Sequence, residues 1–151
     1  MTLPEITTLV PHAAPMLLLD RVLKVDVEQL CAQITIRADS MFCGEQGVGA
    51  WIGIEYMAQA IAAYAGYQAL QRGERVKVGF LLGTRRYACS RPWFAVGTSL
   101  HVEVQQLLQA ENGMGSFACT IHDSDTQQEL AQATVSVFQP HDESVFLENQ
   151  A

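Results

Sequence analysis

The chain has 151 residues, of which 49% are hydrophobic and 17% charged, with a formal charge of −7 and a pI near 4.9. That length is about the modal size of one domain, and so much apolar material excludes disorder over most of it. The acidity argues against nonspecific binding to nucleic acid or to an anionic membrane, since both need a basic surface.

The expected organisation is a single domain over residues 1–140 followed by a polar tail over 141–151. The four cysteines, Cys31, Cys43, Cys89 and Cys119, form no CxxC pair; they are read as reduced thiols in a cytoplasm. Residues 1–19 end on the apolar run Met16-Leu17-Leu18-Leu19, yet they carry Pro4, Glu5, Pro11 and Pro15 and no cation before Arg21. They are not expected to act as a secretory leader.

In chain order, residues 17–25 and 30–37 read as two strands joined by the polar turn 26–29. The second alternates cleanly, with Leu30, Ala32, Ile34 and Ile36 on one face and Gln33, Thr35 and Arg37 on the other. A loop rich in glycine follows (Gly44, Gly47, Gly49). Residues 51–70 then read as a long helix built from strong helix formers, with a stop at Gly73. At about 30 Å it could in principle span a membrane, but Glu55, Gln59, Gln68 and many alanines make it a buried helix of a soluble domain, covered on most sides. Residues 76–89, 98–110, 114–122 and 129–138 read as four more strands. Asn112-Gly113 and residues 123–126 supply turns between them, and the tail after Pro140 is expected to be mobile. Two strands, one apolar helix and an antiparallel meander make an α+β domain, with a curved antiparallel sheet wrapped around one long central helix.

Glu55 is the only acidic or basic side chain between Glu45 and Arg72. It lies about one turn into a helix expected to be buried, and burial of a lone carboxylate raises its pKa and makes it a proton donor near neutral pH. Gln59 lies one turn further along the same face and can hydrogen-bond it. The loop from Gly44 to Ala50 runs into the helix, where free backbone N–H groups can bind a carbonyl oxygen that gains negative charge, as thioester or enolate chemistry requires. His12, in an irregular segment between Pro11 and Ala13, is a candidate base. His101, His122 and His141 read as surface residues. No His/Cys/Asp/Glu cluster has metal-ligand spacing, and there is no phosphate loop or dinucleotide fingerprint. Residues 72–91 hold six cations (Arg72, Arg75, Lys77, Arg85, Arg86, Arg91) against one acid, Glu74. Such a stretch can recruit a specific acidic partner, or it can be a solvated strand face.

Three motifs together resemble a known family. The run Val10-Pro11-His12 through Pro15 to Val22, the helix Ile54-Glu55-Tyr56-Met57-Ala58-Gln59-Ala60, and Arg85-Arg86-Tyr87 through Arg91-Pro92 to Gly97 are similar to the hot-dog-fold 3-hydroxyacyl-acyl carrier protein dehydratases. The likeness covers about residues 8–138. It is strongest to the branch associated with aryl polyene and related polyketide-type clusters, through residues 51–59 and 79–85. The main fatty-acid dehydratases carry a catalytic histidine in the loop fourteen residues before the helix glutamate, and Met41 stands at that position here.

The resemblance implies dehydration of a 3-hydroxyacyl thioester, carried on the phosphopantetheine arm of acyl carrier protein, to the 2-enoyl thioester without a cofactor or metal. Glu55 matches the family's acid. His12, matching a motif histidine that is not catalytic in the main group, becomes the candidate base, with a water held by Glu55 as the alternative. N–H groups near Gly49 and Ala50 would stabilise the enolate-like oxygen. Trp51, Tyr56 and Gln59 would line the substrate site, with the acyl chain lying in a tunnel along the helix. Arg85, Arg86 and Arg91 would receive the acidic carrier protein. The resemblance further implies a homodimer, or a heterodimer with another hot-dog subunit, in which two sheets join and each site borrows residues from both subunits. Two other readings stay open: a hot-dog thioesterase in which Glu55 activates water, and a noncatalytic carrier-binding subunit of a heteromeric dehydratase.

Overall fold

A computed structural model of the chain describes residues 3–11, 16–76 and 80–139. The strands are β1 (Arg21–Val25), β2 (Gln29–Thr35), β3 (Cys43–Gly44), β4 (Gly47–Gly49), β5 (Phe80–Cys89), β6 (Trp93–Phe94), β7 (Ser99–Gln109), β8 (Met114–Asp123) and β9 (Glu129–Phe138). One long helix, α1 (Gly53–Gln71), follows β4 after a turn of 3-10 helix at Ala50–Ile52. Six strands form an antiparallel sheet in the order β1-β2-β7-β8-β9-β5, and β3-β4-β6 form a small second sheet.

Alternation decides which face of the large sheet meets the helix. Leu30, Ala32 and Ile34 of β2, Leu100, Val102 and Val104 of β7, and Phe117, Cys119 and Ile121 of β8 are all buried. They close over Tyr56, Met57, Ala60, Ile61, Ala63 and Tyr64 of α1 in one hydrophobic core. The expected α+β architecture, a curved antiparallel sheet around one central helix, is the architecture observed. Irregular pairing helps to curve it: ladders shift register in β1, twice in β5, and between Gln106 and Leu108 of β7.

Differences from the expected elements have local causes. The strand expected over 17–25 begins only at Arg21, because the Leu18 N–H donates to the Gln59 side chain of α1 instead of to a neighbouring strand. The glycine-rich loop is a hairpin, β3 to β4, whose Gly47 has φ +118°, and a Cβ there would meet the Phe94 carbonyl at 2.1 Å. The strand expected from residue 76 begins at Phe80, and residues 77–79 lie outside the described residues. At the 110–114 turn only Gly113 takes positive φ, and the Asn112 side chain accepts from the Met114 N–H. Among the described residues no helix is long and apolar enough to cross a membrane. Of the two parts expected, the tail over 141–151 lies outside the described residues.

Candidate active site

Gly53, at the start of α1, packs against the Tyr87 hydroxyl of β5, where a Cβ would come within 2.2 Å of the oxygen. That hydroxyl donates to the Ala50 carbonyl at 2.5 Å, and the Ala50 N–H donates to the Pro92 carbonyl at 2.9 Å. The end of β5 and the residues after it thus hold the 3-10 turn that leads into α1. Ala50 was expected to present a free N–H to substrate, but that N–H is committed to Pro92, and Gly49 is buried in the central strand of the small sheet. Trp51, expected along a tunnel, is 63% exposed and folds back over Gly49, its ring edge-on to Trp93 with centroids 5.7 Å apart. Tyr56, expected beside it, is 1% exposed and sealed in the core against Phe94. In this chain Tyr56 packs the interior and touches no solvent-reachable space. Burial pushes the Tyr56 and Tyr87 phenols well above their usual range, so neither supplies a base near neutral pH.

Glu55 lies in the first turn of α1, where the unsatisfied backbone N–H groups favour negative charge. It was expected to be buried and is instead half-buried, because its stripe of the helix, with Ala58, Ala62 and Ala65, is not covered by the large sheet. Gln59 Nε2 donates to Glu55 Oε1 at 3.1 Å, which is the contact that the spacing predicts. Gln59 itself is 1% exposed and bound to backbone on both sides: Nε2 also donates to the Met16 carbonyl at 2.8 Å, and Oε1 accepts from the Leu18 N–H at 2.8 Å. Expected as a substrate contact, Gln59 has its polar atoms committed to protein and is inaccessible.

His12 lies outside the described residues, as do Lys77 and His141. The chain on either side of residues 12–15 is fixed to α1. Leu9 passes so close to Gly66 that a Cβ there would meet the Leu9 carbonyl at 1.8 Å, and Met16 is held by Gln59. A glycine inside an alanine-rich helix is a sequence sign of such a close approach, although the partner is not legible from it. Met41, at the position of the family's loop histidine, packs against the hydrophobic core. His101 and His122 pair across β7 and β8, half-buried. Among the described residues no group of three His, Cys, Asp or Glu side chains is placed to hold a metal ion.

Arg85, Arg86 and Arg91 are exposed. Arg86 sits at the second register shift of β5 with φ +54°, beside Tyr87, and Arg91 precedes Pro92. These cations therefore flank the two residues that hold Ala50, five positions before Glu55. A hollow of about 260 Å³ lies between the end of β5 and the start of β9, lined by residues 88–90 and 129–132. It includes neither Glu55 nor Gln59.

The family model described as the ApeP dehydratase, ApeP-like, matches residues 4–148 of the chain. The dehydratase heterocomplex ApeI:P from Xenorhabdus doucetiae is 30% identical, covering 99% of this chain and 100% of that one with a TM-score of 0.88. Two more distant structures share the fold alone. The PaaI protein of the E. coli phenylacetic acid degradation operon is 18% identical over 78% of this chain and 80% of its own, with a TM-score of 0.61. The smu.793 protein of Streptococcus mutans, bound to acetyl CoA, is 11% identical over 85% of this chain and 95% of its own, with a TM-score of 0.62. No curated protein sequence matches significantly.

Proposed function

Because the chain belongs to the ApeP-like dehydratase family, we propose that it removes water from a 3-hydroxyacyl thioester on the phosphopantetheine arm of acyl carrier protein, giving the 2-enoyl thioester in aryl polyene or fatty-acid-like biosynthesis. The observation that carries this reading beyond the family is the Glu55 carboxyl, held by Gln59 in the first turn of a half-covered helix. A base, His12 or a water held by Glu55, takes the proton α to the thioester carbonyl. A backbone N–H near the start of α1 stabilises the oxygen that becomes enolate-like, and protonated Glu55 gives its proton to the departing 3-hydroxyl, which leaves as water. The reaction is redox-neutral and needs no cofactor.

The solved relative is a heterocomplex, and the half-exposed stripe Glu55, Ala58, Ala62 and Ala65 with the exposed Trp51 gives a second hot-dog subunit a surface next to the candidate acid. On this reading the acyl tunnel is completed between subunits, with Trp51 at its wall. The Arg85, Arg86 and Arg91 group receives the acidic carrier protein near the same end of the helix; charge reversal there raises KM for carrier-bound substrate and leaves KM for a short thioester analogue unchanged. We place this chemistry in the cytoplasm, where carrier-bound acyl chains and reduced thiols coexist.

The core-packed Met41 favours a second reading, in which this chain is a carrier-binding subunit without chemistry of its own. Intact mass of 3-hydroxyacyl-loaded carrier protein, incubated with the chain alone and with a second hot-dog subunit, tests both. Loss of one water that disappears with Glu55→Gln supports the proposal. Loss that needs the partner and survives Glu55→Gln supports the noncatalytic subunit, and loss of the acyl group supports a thioesterase.

A further inference from the structure

Two histidines stand opposite each other on the outer surface of the large sheet, the side away from α1. His101 of β7 and His122 of β8 are register partners in the antiparallel ladder. Their neighbours in the chain, Leu100 and Val102 of β7 and Ile121 of β8, are buried in the core, so alternation turns both histidines outward. The row they belong to crosses five strands, with Arg21 of β1, Gln33 of β2, His101, His122 and Glu129 of β9 as successive partners. At one end of the row Arg21 Nε donates to Gln33 Oε1 at 2.6 Å, which commits both of those side chains. Both histidines are half-buried, so each keeps part of its surface open to water. Among the described residues neither ring has a hydrogen-bonding partner in the protein.

We propose that His101 and His122 form a bidentate site for a late first-row divalent cation of the Ni(II), Cu(II) and Zn(II) class. A neutral imidazole offers one nitrogen lone pair in the plane of its ring and is a ligand that these cations favour. Two nitrogens bound to one cation at about 2.0–2.1 Å lie about 3 Å apart. Residues directly opposite in an antiparallel ladder have Cβ atoms about 4.5–5.5 Å apart, a spacing from which two rings reach one ion by rotation about χ1 and χ2. The ladder already holds the two backbones together, so chelation orders side chains and not main chain. Among the described residues no third His, Cys, Asp or Glu joins the pair. Water fills the remaining coordination positions, and a hard cation such as Mg(II), which takes oxygen ligands, is not selected. An ion gripped from both strands ties β7 to β8 and stabilises the chain, because it binds the folded state alone. The site lies across the sheet from α1 and Glu55, so it takes no part in the chemistry proposed above and does not depend on it.

The test is calorimetric titration of Ni(II), which leaves thiols unoxidised, into the full-length, tag-free protein, with Mg(II) as the control. Ni(II) is expected to bind and Mg(II) is not. His101→Gln and His122→Gln are each expected to weaken Ni(II) binding about 100-fold, since losing either ring removes the gain from joining two contacts. His141→Gln is expected to leave it unchanged. Absence of Ni(II) binding, binding that survives both ring variants, or binding lost with His141→Gln would overturn the inference. A measurement on the unaltered protein removes any dependence on how the variants fold. In 15N–1H NMR of a histidine-labelled sample, a small amount of the paramagnetic ion should broaden the ring signals of His101 and His122 first, and broadening that begins at His12 or His141 overturns the site. The melting temperature should rise with Ni(II) in the unaltered chain and stay fixed in His101→Gln. Dehydration of loaded carrier protein should be the same in both ring variants as in the unaltered chain, so this inference and the dehydratase reading fail in different measurements.

Discussion

The two halves of α1 differ in how much of their surface they leave exposed. In the C-terminal half, side-chain polar groups turn inward to the fold: the Tyr64 hydroxyl donates to the Val27 carbonyl at 2.6 Å, Gln68 Nε2 donates to the Asp26 carbonyl at 2.8 Å, and the Tyr64 ring stacks edge-on to Phe117. The helix then stops on Gly73 at φ +74°, with the Gly73 N–H on the Leu70 carbonyl and the Glu74 N–H on the Ala69 carbonyl, the double bond that closes a left-handed helix end. The N-terminal half has no side-chain cap, begins through a 3-10 turn, and leaves Glu55 half-buried beside an exposed Trp51. In the N-terminal half Gln59 also ties the helix to the fold, but Glu55, bonded to Gln59 through one oxygen, and Trp51 stay partly or largely exposed. A helix whose polar groups were all satisfied internally would have nothing left for a substrate.

If that division is real, changes in the two halves should separate activity from stability. The largest effect is expected for Glu55→Gln, which should lower the dehydration rate about 10²- to 10⁴-fold, the usual worth of a positioned acid, while the melting temperature stays close to wild type. A variant that kept its rate would dissolve the comparison. Gly66→Ala comes next: its new methyl group meets backbone, the Leu9 carbonyl, so the overlap should cost about 1–3 kcal/mol in a denaturant titration. Tyr64→Phe loses a half-buried hydroxyl bond and should cost about 1 kcal/mol with kcat unchanged; a drop in kcat would show that the halves are coupled.

The last effect is negligible at neutral pH and appears only above about pH 9. Cys119, on β8 two residues from Phe117, has its thiol pushed by burial from 9.0 to about 12. Its folded-state value lies above that of the unfolded chain, so its contribution to stability is complete below pH 9 and is lost as pH rises from 9 to about 12. Cys119→Ala should therefore flatten the fall of stability over that alkaline range, measured by chemical denaturation at successive pH values. An unchanged slope would assign the loss to other groups.

Long periodic elements were legible in the sequence almost to the residue. The strand read at 129–138 is β9 (Glu129–Phe138), those read at 98–110 and 114–122 are β7 (Ser99–Gln109) and β8 (Met114–Asp123), and the helix read at 51–70 is α1 (Gly53–Gln71). Each has enough residues for its period to show. The small sheet was not legible, because strands of two or three residues such as β3, β4 and β6 have no period. Leu17, Leu18 and Leu19 looked like strand because burial alone makes a residue apolar, whether or not its N–H joins a ladder. The pair Glu55 and Gln59 was legible because positions four apart on a helix must be neighbours. The surroundings of Trp51 and Tyr56 were not, since a helix apolar nearly all round does not show which face meets its own sheet.

The sequence by itself determined the period of each long element, the glutamate that interrupts an apolar helix, and motifs distinctive enough to place the chain in its family. These are local properties, set by backbone geometry and by the spacing of side chains along one element. Only the tertiary structure decided that the Ala50 N–H is taken by Pro92, that Tyr56 faces inward, and that one buried amide joins Glu55 to Met16 and Leu18. Those contacts connect residues about forty positions apart in the chain, where loop closure and packing, rather than local spacing, select the partner.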